Sequence, residues 1–312
     1  MAASQTYHHA IASHEAGVRL DRWLCDHLTL SRRDAQRLLG AGCVELDGRV
    51  LTQKDKGLLL AAGHRLRGQS VALGLDARGR ASQHASLESL AEDDDAIIVN
   101  KSADMAVHPL DPAETDTLLN AVIARYPQVH GVGEGGLRSG VVHRLDLDTT
   151  GCVAFALSQQ RWRLLRDAFA SHEAHKLYHA VLRGRARCDR ARETMDLHIA
   201  QHRPARVRVV NDDSSRRPSG TRRCSLSWRI IEPLRNAMLV EVALETGFLH
   251  QIRVMMAHLG HPVIGDALYG SRDAAAAVPR PMLHATALRI GNLAATCPPP
   301  SDFQLVLESL RG

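Results

Sequence analysis

The sequence predicts an α+β fold with a largely antiparallel sheet, on three observations. Strand-like runs (VVHRL, CVAFAL, KLYHAVLRG, RVRVV, CSLSWRII and AMLVEVAL) follow one another closely between residues 141 and 244. Helical periods such as LLNAVIARY and QRWRLLRDAFASH alternate with them irregularly, too sparsely to supply a crossover helix between every pair of strands. The chain has 312 residues with 45% apolar content, enough for two domains or one large one around a substantial core.

Bulk properties narrow the classes. The longest apolar runs, such as MLVEVAL from Met238, are broken by charge and fall short of the roughly 20 residues that span a bilayer. The first residues, MAASQTYHHAIASHEAG, lack a cationic start followed by an apolar core, so no signal peptide is expected and the protein is expected to be cytoplasmic. Six scattered cysteines form no CxxC pair and suggest neither a zinc ribbon nor a disulfide framework. Net charge is +5, but residues 17–75 carry +4, residues 183–229 carry +8 and the remainder −7. Two basic segments on an otherwise acidic chain fit a polyanion partner; an arginine-rich surface, with only four lysines among 39 basic residues, fits equally well.

In chain order, residues 1–16 have no apolar period and are expected to be a flexible tail. VRLDRWLCDHL places Leu20, Trp23, Leu24 and Leu28 on one helical face. SRRD from Ser31 has the spacing of a capping box, opening a second helix with Ala35, Leu38 and Leu39 on its apolar side and Arg32, Arg33 and Arg37 away from it. CVELDGRVL alternates around Asp47-Gly48, a hairpin signal, and GHRLRGQSVAL adds a further strand. This helix pair joined to a hairpin, over roughly residues 17–75, resembles the S-four type of RNA-binding domain, named for a ribosomal protein. Residues 76–86, DARGRASQHAS, are small and polar and are expected to be a linker. From residue 87 a long domain opens with the strand-like AIIVNKSADMAVHP.

Several sites are excluded by context. GVGEGG at 131–136 matches GxGxxG but opens no helix, so a loop is expected. His172-Glu173-Ala174-His175 is one residue short of HExxH, and neither a GxSxG nucleophile turn nor a phosphate-binding loop is present.

Two stretches carry chemistry. VVHRLDLDTTG (141–151) sets Arg144 and Asp146 two apart, on one face if the segment is a strand. In LETGFLHQIRVMMAHLGHPVIGDALYG (244–270), Thr246 can cap a helix with Leu249, Ile252, Met256 and Leu259 on its core side and His250 and Arg253 on a neighbouring face. HRLDLDTTG, KLYHAVLRG and this segment, with NKSADMAVHP (100–109) before them and LHATAL (283–288) after, are similar in order and spacing to the signature segments of RluA-type pseudouridine synthases. The resemblance spans about 290 residues; it departs from the family at Phe248-Leu249, where Arg-Thr is usual, and at Ser102 and Asp104, where Pro and Gly are usual.

The resemblance implies a pseudouridine synthase catalytic domain (87–312) with a largely antiparallel mixed sheet and a central cleft. It implies an isomerase that flips specific uridines out of structured RNA and converts them to pseudouridine, with no cofactor and no metal. Asp146 matches the catalytic aspartate, Arg253 its cationic partner and Tyr178 the active-site tyrosine. Arg144 matches the side chain that enters the RNA beside the flipped nucleotide. Lys176, His143 and Thr149 are expected as supports or phosphate contacts, and Arg32, Arg33 and Arg37 as contacts to the RNA backbone. The expected partner is large-subunit ribosomal RNA, with transfer RNA next, for a monomer that binds no membrane. A non-catalytic RNA-binding assembly factor is the competing class.

Overall fold

In the computed structural model, residues 6–28, 32–40, 42–69, 79–82, 86–202, 205–210, 218–270 and 278–312 are described. They fall into two compact units, Met1–Ala77 and Arg78–Gly312.

The first unit opens with β1 (Thr6–Ala10), followed by α1 (Leu20–Leu28), α2 (Arg32–Gly40), β2 (Val44–Leu46), β3 (Arg49–Val50) and β4 (Arg65–Gln69). The strands form one sheet in the order β1-β4-β2-β3. Leu20, Trp23 and Leu24 of α1 and Ala35, Leu38 and Leu39 of α2 close over Val44, Leu46 and Leu66, as the apolar periods predict. Asp47 and Gly48 both take positive φ (50° and 82°), the geometry a two-residue hairpin loop demands. The expected tail is corrected: Thr6–Ala10 pairs antiparallel with β4, from Thr6 opposite Gln69 to Ala10 opposite Arg65. Backbone hydrogen bonds of an edge strand need no apolar pattern, and TYHHA shows almost none. Ser31, the expected helix cap, and the side chains of Arg32, Arg33 and Arg37 lie outside the described residues.

The second unit is a ten-stranded sheet. Its strands are β5 (Ser89–Asp93), β6 (Ala96–Lys101), β7 (Thr150–Ala156), β8 (His175–Arg183), β9 (Arg190–His202), β10 (Ala205–Val210), β11 (Arg222–Leu234), β12 (Ala237–Leu244), β13 (Leu283–Ile290) and β14 (Leu293–Thr296). They run in the order β10-β9-β11-β12-β8-β13-β7-β6-β5, with β14 on β13. Every pairing is antiparallel except β13 with β7, so the predicted fold class holds. The helices are α3 (Leu118–Arg125), α4 (Gln159–Ala170), α5 (Gln251–His258) and α6 (Ser301–Arg311); among the described residues none is long and apolar enough to cross a membrane.

Strands β6 and β7 are buried on both faces, which explains their near-continuous apolar runs. Ile97, Val99, Val153 and Phe155 point toward a core shared with α3, α5 and Tyr178. Ile98, Cys152, Ala154 and Ala156 point to the opposite core, where Leu165 of α4 lies. Part of the expected linker is held rather than free. Ser82 donates its N–H to the Asn120 carbonyl at 2.9 Å, and the Asn120 amide donates to the Arg80 carbonyl at 2.6 Å.

VVHRL is not a strand, apart from a single bridge between Val141 and Phe155. Side chains take over its backbone groups. Trp162 Nε1 donates to the Val141 carbonyl (3.0 Å), Arg166 to the Val142 carbonyl (2.8 Å), and the Ala154 N–H to His143 Nε2 (2.9 Å). The segment is therefore fastened by α4 and by single contacts to β7, and becomes a strand only at Thr150.

Gly151, just inside β7, has φ of 111°, and a Cβ there would stand 2.2 Å from the Ala285 carbonyl oxygen of β13. Gly260, after α5, shares a positive φ (86°) but has open space around it. We expect Gly260→Ala to cost about 1 kcal/mol and Gly151→Ala at least about 3 kcal/mol in urea unfolding, because only the latter adds a collision to the backbone strain. Equal costs would show that the β7–β13 approach is not tight.

Candidate active site

The site begins with the backbone of one turn. The Thr149 N–H donates to the Asp146 carbonyl (3.1 Å), Lys101 Nζ to the Leu147 carbonyl (2.7 Å) and Arg280 Nη1 to the Asp148 carbonyl (3.2 Å). Three successive carbonyls are thus claimed, one within the turn itself and two by distant parts of the chain. Lys101, at the end of β6, is fully buried and also donates to the carbonyls of Ser102 and Met105, both at 2.8 Å. Burial lowers its pKa to about 8, against the opposing pull of Asp148 and Asp146. Arg280 is itself anchored by both oxygens of Asp302 (2.6 and 2.9 Å). A Cβ at Gly265 would meet the Arg280 carbonyl oxygen at 1.9 Å, so only glycine lets these two segments approach so closely.

The turn presents Asp146 to Arg253, which lies in the buried part of α5. Arg253 Nη1 donates to Asp146 Oδ2 at 3.0 Å, while Nε and Nη2 grip the two oxygens of Asp266 at 2.7 and 2.9 Å. The Asp266 side chain is fully buried, whereas Asp146 keeps 20% of its side-chain surface open. One Asp266 oxygen also accepts the N–H groups of Leu268 and Tyr269. Burial opposes the charged guanidinium, but the hydrogen bonds and charge of Asp266, then those of Asp146, outweigh it and raise the Arg253 pKa. The Tyr269 ring lies 5.4 Å from the guanidinium carbon.

Helix α5 starts later than Thr246 would start it. His250, at a left-handed φ of 53°, is the residue before the helix, and Thr246 bonds elsewhere. Its hydroxyl donates to Gln251 Oε1 (2.9 Å) and accepts the Ser225 N–H (2.9 Å). Gln251 is buried and also reaches the Ser225 carbonyl and the Phe248 N–H. The glutamine thereby pins the first turn of α5 to β11 and fixes where Arg253 emerges. The departures Phe248 and Leu249 are half-buried against the core, not turned out as polar contacts. At the other departure, Asp104 takes φ 52°, a conformation glycine adopts freely and aspartate tolerates better than most residues.

Tyr178 of β8 is buried, and burial, then the Asp146 charge, raises its phenol pKa. Arg144 is exposed and forms no ion pair among the described residues, so Asp146 is paired with Arg253 rather than with Arg144. His143 faces inward, its ring stacked 4.6 Å from that of Phe169, with its pKa pushed down to about 3 by burial, then by Lys176 and Arg166. Thr149 is buried and His143 partly buried, with His143 Nε2 accepting the Ala154 N–H. Lys176 is 8% exposed and makes one long hydrogen bond, to the Thr246 carbonyl at 3.3 Å, over the Phe169 ring. Burial brings its pKa down to about 8.

Lys101, Gln251, Asp266 and Tyr269 were not singled out from the sequence, although all four lie inside the quoted segments. A signal was present for two of them: a lysine closing an apolar strand and an aspartate in GDALYG have few reasons to be buried unless they are paired.

The family model described as RNA pseudouridylate synthase matches residues 95–258. An uncharacterised RNA pseudouridine synthase of Synechocystis is 34% identical over an alignment of 310 residues, covering 96% of this chain and 91% of the relative. A ribosomal large subunit pseudouridine synthase D of Nitrosomonas europaea is 31% identical, over 95% of this chain and 85% of its own. Among solved structures, human RNA Pseudouridylate Synthase Domain Containing 1 superposes with a TM-score of 0.55 at 25% identity, covering 69% of this chain and 84% of that one.

Burying Lys176 has a measurable cost. Its folded pKa, about 8, lies below the 10.5 of a free lysine, so between these values the unfolded chain binds more protons and stability rises with pH. Below about pH 8 the cost is fully present. We expect Lys176→Met to be more stable than wild type at pH 7 by roughly 1–3 kcal/mol, with the gain shrinking by about pH 10, in urea unfolding at both pH values. No gain at neutral pH would mean that the lysine is compensated locally.

Proposed function

This chain belongs to the RNA pseudouridylate synthase family, and on that premise we propose that Asp146, held by Arg253, is the residue on which conversion of uridine to pseudouridine turns. The observation that carries the proposal is the asymmetric arginine bridge: one carboxylate of Arg253 is sealed, and the other is left partly open toward a substrate. The reaction breaks the bond from ribose C1′ to uracil N1, turns the base and joins C1′ to C5. It is an isomerisation that consumes no cofactor and needs no metal. An ionised carboxylate beside the sugar and base is its central requirement, and a fixed cation supports ionisation in an enclosed place.

A uridine in folded RNA is stacked, and removing it from the stack costs a few kcal/mol. Arg144, exposed two residues before Asp146, is the side chain proposed to enter the gap beside the flipped nucleotide. Tyr178 supplies an aromatic face for uracil. The substrate is proposed to be large-subunit ribosomal RNA, supported by relatives that carry that name, with transfer RNA as the alternative; the protein acts as a monomer. Backbone phosphates are proposed to meet the basic segment 183–229, which carries thirteen arginines against five acids, and Arg32, Arg33 and Arg37 of an S-four-like N-terminal unit.

Tritium release from RNA labelled at uracil C5 tests the chemistry. We expect release by the wild type and a loss of more than about 10³-fold in Asp146→Asn with RNA binding retained; comparable release by the variant would remove Asp146 from the mechanism. The better substrate of the two RNA classes names the target. For the N-terminal unit, replacing Arg32, Arg33 and Arg37 together with alanine should weaken binding and reduce the slope of log affinity against log salt by about 2–3. An unchanged slope would place the RNA elsewhere.

A further inference from the structure

Outside this site, the first unit brings two histidines and a carboxylate to one point. Glu15 is buried, and its Oε2 lies 2.9 Å from His9 Nε2 of β1 while its Oε1 lies 2.8 Å from His27 Nε2 of α1. These ligand-type atoms all fall within 4.8 Å of one another. We propose that His9, Glu15 and His27 form a binding site for a divalent zinc-class cation that fastens β1 to α1. It is separate from the isomerisation chemistry and does not depend on it.

The donor set is two imidazoles and one carboxylate, a combination that suits zinc and leaves a fourth position for solvent. Both rings are open to water on one side, with about 40% of each side chain exposed, so an ion has a path in. Bonds of 2.0–2.2 Å in tetrahedral geometry separate ligand atoms by about 3.4 Å. Around Glu15 Oε1, His27 Nε2 at 2.8 Å and His9 Nε2 at 3.1 Å need to move out by about half an ångström or less, and the two rings, within 4.8 Å of each other at their ligand atoms, to close by at most about 1.4 Å.

The surrounding groups orient the ligands as second-layer partners of a metal site do. Trp23 Nε1 donates to Glu15 Oε1 and the Ala12 N–H to Oε2, both at 2.8 Å, fixing the carboxylate plane. The His27 ring stacks on Trp23, with centroids 4.1 Å apart. His27 Nδ1 lies 3.2 Å from the Trp23 carbonyl oxygen, an acceptor only, so Nδ1 carries a proton there. Nε2 also faces an acceptor, the Glu15 carboxylate. A neutral imidazole has a single N–H, so this contact calls for a positive charge between Nε2 and the carboxylate, either a metal ion or a second proton.

The test uses the full-length chain, stripped with a chelator and titrated with Zn²⁺ against a chromophoric competitor. Wild type is compared with His9→Gln, His27→Gln and the double variant. Circular dichroism checks each variant for folding; both side chains are half exposed, and His9→Gln leaves the stack on Trp23 in place if His27→Gln disturbs it. Expected are a single high-affinity equivalent in the wild type, weakened at least about 10-fold by either substitution and about 100-fold or more by both. Co²⁺ in place of Zn²⁺ should give the visible absorption of a four-coordinate site in the wild type alone. Zn²⁺ binding of unchanged affinity and stoichiometry in the double variant would overturn the proposal and leave a proton as the bridging charge. Tritium release should survive stripping, which keeps a failure here distinct from a failure of the Asp146 assignment.

Discussion

The proposed active site depends on the burial of one guanidinium. Arg253 sits within a helix packed against the main core, where an unpaired cation would be prohibitively costly. Two carboxylates answer it, and they are not equivalent. Asp266 is sealed, bidentate and itself held by two backbone N–H groups, so it cannot leave. Asp146 takes only the third donor and keeps an open edge. A single arginine is therefore anchored by a sealed carboxylate on one side and orients a partly open one on the other. The charges of Asp148 and Asp146 favour the ammonium of buried Lys101 against its desolvation.

The same economy governs the backbone. A carboxylate is useful to a reaction only if it is held near the productive position before the substrate arrives. The 146–149 turn meets that need without belonging to any regular element. Lys101 comes from β6, Arg280 from the chain entering β13, and Thr149 from the turn itself, and together they hold the carbonyls of residues 146–148. The parallel contact of β13 with β7, closed at Gly151, brings the second of these to the first. Gln251 does the equivalent for Arg253 by tying α5 to β11. Segments far apart in sequence, from β6, β11, α5 and the chain entering β13, thus converge on two side chains.

Much of this was legible in the residues. The helix pair and the Asp47-Gly48 hairpin of the first unit formed where their periods and turn chemistry put them, because local propensity and burial agree there. The HRLD and HQIR segments pointed to Asp146 and Arg253, which lie 3.0 Å apart. VVHRL misled because a β-branched, apolar pattern reports burial, and burial was satisfied here by side chains of α4 bonding the backbone in place of a neighbouring strand. TYHHA misled in the opposite sense, since an edge strand is held through its backbone and leaves little trace in side-chain pattern.

The sequence by itself determined the fold class, the family and the identity of the central ion pair, since each rests on short-range periodicity or on side-chain types in a fixed order. Only the packing of the folded chain decided which further groups join that pair. That Arg253 is shared with Asp266, that Lys101 holds the catalytic turn, and that His9, Glu15 and His27 converge are consequences of long-range packing. A charged residue carries no periodic signal for its partner. Its pairing is set by the desolvation it must offset once the chain has closed around it, and that environment exists only in the folded molecule.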